Sequence, residues 1–115
     1  MRFMILMGDG AGSWEELSAA EQARVIERHG EFRRALEAEG KFVAASRLAP
    51  RAQAKTVRKF RDGRIEVIDG PFAETKEALG GFYVIEAKDM AEAVDWAKRV
   101  RFIAGANEVR PLFDG

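Results

Sequence analysis

Two short stretches, FMILM from Phe3 to Met7 and the FYVIEA that begins at Phe82, carry apolar side chains on both faces of what read as strands. Successive side chains of a strand point to opposite sides, so a strand apolar on both must be covered on both. This requirement places the two segments in the interior of a sheet and demands a fold with material above and below it.

The rest of the chain supplies part of that cover. Ser18 and Glu21 fit a capping box, which predicts a helix beginning near Ser18, and Val25, His29, Phe32 and Leu36 follow at spacings of four, three and four, on one stripe. Gly40 suits the left-handed residue that ends such a helix, KFVAASRL reads as the next strand, and Pro50 closes it. Thr56 to Phe60 and Ile65 to Ile68 flank RDGR, where Asp62-Gly63 suits a two-residue hairpin turn. Asp89 with Glu92 resembles a second cap, ahead of MAEAVDWAKRV with Ala93, Val94, Ala97 and Val100 inward. The closing NEVRPLF alternates, with Val109, Pro111 and Phe113 on one side and a proline that marks an edge strand. The predicted plan is a ferredoxin-like α+β protomer with an extended central hairpin, in one domain over residues 1–115. Two helices cover one face of such a sheet, so the other is expected to meet the same sheet of a second subunit, giving a homodimer.

Bulk properties narrow the function classes. A chain of 115 residues fits one core, and 47% hydrophobic with 33% charged residues favours a folded globule over disorder. Nineteen basic side chains balance nineteen acidic ones, which argues against nucleic acid or an anionic membrane as partner. FMILM is far shorter than the roughly 20 residues that span a bilayer and has no basic start or cleavage site of a secretory signal. Without cysteine there is no disulfide or thiolate site, and a cytoplasmic location is the expectation. No phosphate-binding glycine loop, paired histidines or nucleophile elbow is present, so neither a cofactor nor a dedicated metal site is expected.

Acid/base chemistry has one evident candidate. His29 is the sole histidine, and imidazole is the side chain whose ordinary pKa lets it exchange protons near neutral pH. A core histidine satisfied by one hydrogen bond is the competing reading. Asp9 follows the first strand and Asp69 ends the strand after the hairpin; either carboxylate could orient the ring, or serve only its own turn. PFAETKEALGG opens with proline and closes with two glycines, so it can form one or two helical turns bearing Glu74 and Lys76, which would face a ligand or water. Phe72 could wall a pocket or fill a dimer interface.

On the runs RFMILMGD, ERHGEFRRALEAEGKFVAASRLAP, DGPFAETKE with GGFYVIEA, and EVRPL, the chain resembles the YCII-related family, in the branch marked by a DGPF motif. The resemblance implies a dimeric α+β barrel, and an acid/base dyad in which His29 and Asp9 stand at the matching positions, with Asp69 a possible third participant. It also implies a small-molecule ligand, since some relatives act on aromatic ring compounds, including a dehydrochlorinase of chlorinated hydroquinones. Association with extracytoplasmic-function sigma factors is a further implied partner, and would suit a non-catalytic binding module. RVRFIAGANEVRP departs from the proline and Gly-Ser-rich approach to the last strand that is common in the family.

Overall fold

The computed structural model describes residues 1–9, 14–70, 78–100 and 105–113. Eight elements follow in chain order: β1 (Arg2–Asp9), α1 (Ala19–Ala38), β2 (Phe42–Arg47), β3 (Lys55–Lys59), β4 (Ile65–Asp69), β5 (Ala78–Glu86), α2 (Met90–Val100) and β6 (Asn107–Pro111). Short 3-10 turns occupy Trp14–Glu16 and Arg51–Gln53.

The antiparallel sheet runs β2-β5-β1-β6. It has the ferredoxin-like order, with the two doubly apolar segments as its central strands. Phe3 pairs with Ile85 and Ile5 with Tyr83 on β5, while Val109 and Pro111 of the edge strand sit opposite Ile5 and Phe3. Both helices pack on the face formed by these residues, and the core is Phe3, Ile5, Phe32, Leu36, Tyr83, Ile85, Ala93, Trp96 and Val100, with Ala87 and Ala97. Burying a side chain such as Leu36 completely contributes about 1.5–3 kcal/mol.

The capping box forms as the sequence predicts: the Glu21 amide donates to Ser18 Oγ at 3.1 Å and the Ser18 amide to Glu21 Oε1 at 3.0 Å. Gly40 takes φ 69°, and the Lys41 amide donates back to the Leu36 carbonyl, closing α1. Asp89 accepts from the Glu92 amide at 2.9 Å, but the Glu92 side chain turns to the Lys88 amide and to Lys41, binding α2 to the start of β2. Trp96 is a buried residue of α2 that the inner stripe omitted, whereas Val94 is only half-buried. Phe113, expected on the same side of the strand as Val109, is 95% exposed and lies beyond β6, which ends at Pro111.

The hairpin differs from the expected two-residue turn. Phe60 donates its amide to the Arg64 carbonyl, the Gly63 amide donates to Phe60, and among residues 61–63 only Gly63 has positive φ, at 90°. This is a three-residue loop, a β-turn followed by a left-handed glycine. Asp62 keeps negative φ and caps the Arg64 amide with its carboxylate instead. β5 begins at Ala78 and takes in Ala78, Leu79, Gly80 and Gly81 from the PFAETKEALGG segment; the remainder of that segment, with Phe72, Glu74 and Lys76, lies outside the described residues.

Candidate functional site

His29 stands one turn before the buried Phe32, half-buried where α1 crosses β5. Its Nδ1 lies 2.6 Å from the hydroxyl of Tyr83, and the two rings stack with centroids 5.8 Å apart and 14° between planes. Tyr83 is fixed by its neighbours: it is 5% exposed, and Phe32 meets its ring edge-on at 5.0 Å. Phe32 in turn meets Trp96 at 5.9 Å, so the polar pair rests on two further interlocked aromatic rings.

The environment sets the charge states. Burial, and then the Arg47 guanidinium, hold the His29 pKa below its ordinary 6.5. Burial pushes the Tyr83 phenol up to about 12 against a smaller opposing effect of Arg33. Near neutral pH the ring is therefore uncharged and the phenol protonated. A buried hydroxyl hydrogen without an acceptor would be costly, so the favoured sense is Tyr83 O–H donating to Nδ1, which leaves the proton of the neutral imidazole on Nε2. Because a hydroxyl both donates and accepts, the same contact survives ring protonation: the hydroxyl rotates and accepts from Nδ1–H.

A second arrangement lies at the end of β2. Arg47 is opposite Gly81 of β5, two residues from Tyr83, and its guanidinium lies 3.9 Å over the Trp14 ring. The Trp14 carbonyl accepts from Gln22 Nε2 at 2.9 Å, which ties that ring to α1 two turns ahead of His29. At Gly81 an added Cβ would lie 2.9 Å from the Ser46 carbonyl oxygen and 3.0 Å from Met7 Cε, so β2, β5 and β1 close up here because the position has no side chain.

The expected site residues are distributed as follows. Asp9 ends β1, its backbone paired with Ala78 beyond the Met7–Gly81 pair. Asp69 is 87% exposed on the hairpin and ion-paired at 2.5 Å with Lys55, which the β3–β4 register sets opposite it. Tyr83, Arg47 and Trp14 were not singled out from the sequence. Tyr83 carried one usable signal: it is the only tyrosine, inside an otherwise apolar strand, where a buried hydroxyl requires a partner. Among the described residues no group of three or more His, Cys, Asp or Glu is placed to hold a metal ion, and no helix is long and apolar enough to cross a membrane.

Fold and site together define an α+β protein of ferredoxin-like type with a neutral His–Tyr pair at one end of its helix-covered face. The chain belongs to the YCII-related family, whose domain matches residues 1–114. It is also 40% identical over 98 residues to an uncharacterised protein of Rhizobium meliloti (strain 1021), a match covering 83% of this chain and 78% of that protein.

Proposed function

We propose that the protein is a small-molecule enzyme of isomerase or lyase type, acting on aromatic or similarly conjugated compounds, with His29 as the group that gives and takes a proton. The observation that carries this reading is the 2.6 Å contact between His29 Nδ1 and the Tyr83 hydroxyl. It holds the ring in one orientation and supports either charge state, which a proton-transferring group needs and a purely structural histidine does not. Proton exchange with the ligand is assigned to Nε2, while Nδ1 and Tyr83 reverse the sense of their hydrogen bond as the ring changes state. The depressed pKa favours a ring that arrives deprotonated and ready to act as base.

Asp9 is the carboxylate assigned to stabilise the imidazolium, since Asp69 is engaged by Lys55. If Asp69 contributes, it does so only after leaving that ion pair. Phe72, Glu74 and Lys76 are assigned to the ligand-facing rim on the strength of the sequence alone. A homodimer belongs to the same proposal: Met4, Leu6, Phe82 and Val84 alternate with the core residues of β1 and β5, and therefore occupy the face away from both helices. Such a face is best covered by its symmetric copy.

The test is a His29→Ala variant assayed against a panel of ring-bearing substrates, with folding checked by circular dichroism. Loss of turnover, together with a wild-type His29 pKa that moves in Asp9→Asn, supports the reading. Undiminished turnover in folded His29→Ala sinks it. Repeated co-purification of a sigma factor, with no turnover by the wild-type protein, would replace it with the binding-module reading.

A further inference from the structure

The charges around the His–Tyr pair point beyond a proton-transfer residue to the kind of ligand the pair serves. Two guanidinium groups act on it, Arg47 on His29 and Arg33 on Tyr83. Arg33 is already engaged, ion-paired with Glu37 at 3.5 Å and lying 4.2 Å over the Phe42 ring. Arg47 is different. Among the described residues it has no ion pair, and its guanidinium is held by the Trp14 ring alone at 3.9 Å.

Stacking on an indole face restrains a guanidinium while leaving its N–H fork at the ring edges available for a planar, two-oxygen acceptor. The anchoring of Trp14 to Gln22 puts this fork beside the same face of α1 that carries His29. Two helical turns span about 11 Å, comparable to a small ring-bearing acid. Across the sheet, Gly81 separates Arg47 from Met7 of β1, whose methyl group closes on the glycine.

We infer that Arg47 is the specificity-determining residue of this site and that the ligand is a small organic anion, whose carboxylate pairs with the Arg47 guanidinium while its body lies against Trp14 and reaches His29. This deepens the reading of the His29–Tyr83 pair as the ligand site and rests on it. A guanidinium stacked on an aromatic face and, among the described residues, without an ion pair suits such an anion, because the carboxylate supplies the two-oxygen acceptor that the fork lacks.

The probe is benzoate, titrated into the full chain at constant ionic strength, with the ring nitrogens of the sole histidine followed by NMR and binding followed by calorimetry. The expected result is a saturable shift of the His29 resonances, with affinity falling by roughly tenfold or more in Arg47→Gln, as for loss of a charge-assisted bidentate pair, and by less in Arg47→Lys. Benzamide, with the same ring and no charge, should bind to the wild type as weakly as benzoate binds to Arg47→Gln. Equal affinity for benzoate and benzamide, or benzoate binding unchanged in Arg47→Gln, overturns the anion assignment and leaves the proton-transfer reading standing, because His29→Ala tests that separately. Arg47-dependent heat with no His29 shift places the anion away from the pair and overturns the inference itself.

Discussion

The central sheet and the β3–β4 hairpin are written in nearly the same alphabet, and their fates differ. β5 has Tyr83, Val84 and Ile85 all buried, whereas Val57, Ile65 and Val67 on one face of the hairpin are each about 60% exposed. The hairpin register aligns Val57 with Val67 and Lys59 with Ile65, so these side chains gather on a face that no described element of the chain covers. Strand formation thus follows from local pattern and turn chemistry, while burial follows from what the topology brings alongside. The lesson extends to the site: His29 and Tyr83 acquire their roles only because α1 lies across β5.

The largest expected effect sharpens this contrast. Leu36→Ala removes a fully buried side chain and should cost about 2–5 kcal/mol in urea denaturation, whereas Val67→Ala should cost under ~0.5 kcal/mol as an exposed change. A hairpin variant as costly as the core variant would break the comparison and reveal a partner over that face. Gly81→Ala comes next, at about 1–3 kcal/mol, because its methyl group meets the Ser46 backbone oxygen rather than a side chain that can move away. Hydrogen exchange measures the same difference without mutation: amides of β3 and β4 should exchange through local opening well before those of β1 and β5, since a two-stranded ribbon without a covered face is marginally stable.

Smaller effects probe the polar pair on the well-packed side. Tyr83→Phe removes the partner of His29 Nδ1 and should cost about 0.5–1.5 kcal/mol in the same denaturation assay. The least effect is a pH dependence. The folded-state pKa of His29 lies below the unfolded value near 6.5, so the unfolded chain takes up the proton first as pH falls. Stability should decline from about pH 6.5 down through the folded pKa and then level off, and His29→Gln should lack this component when the two proteins are compared by denaturation across that range. For Tyr83 the sign is opposite in pH: with its pKa raised to about 12, its contribution is lost as pH rises from 10 towards 12.

Much of the frame was legible in the sequence because its signals are local. The capping box of α1, Gly40 at its end, the central position of the two doubly apolar strands and the proline of the edge strand are each read within a few residues. Trp96 was legible in principle: positions 93, 96, 97 and 100 complete the broad apolar stripe of a globular helix, and a stripe built mainly on alanines and valines was drawn too narrowly. The turn at Asp62-Gly63 was misjudged by one residue, because an aspartate-glycine pair also serves a three-residue loop in which only the glycine is left-handed. The site was half legible. His29 was found as the one neutral-pH proton carrier, but its contact with Tyr83 joins residues 54 positions apart. Likewise, Arg47 meets Trp14 only once β2 is laid beside β5 and the 3-10 turn is tied to α1.

The sheet order also has a consequence for the timing of synthesis. β1, apolar on both faces, is central, and both of its neighbours, β5 and β6, lie far along the chain from it, with Phe3 finally opposite Pro111. At a translation rate of about 5–20 residues per second, the last of these partners emerges roughly 5–20 s after β1. α1 can form in that interval but cannot shelter the strand on both sides. The nascent protein therefore passes its longest vulnerable period with its most adhesive segment unpaired, and its yield in the cell should depend on chaperones that hold apolar strands more than on the stability of the finished fold.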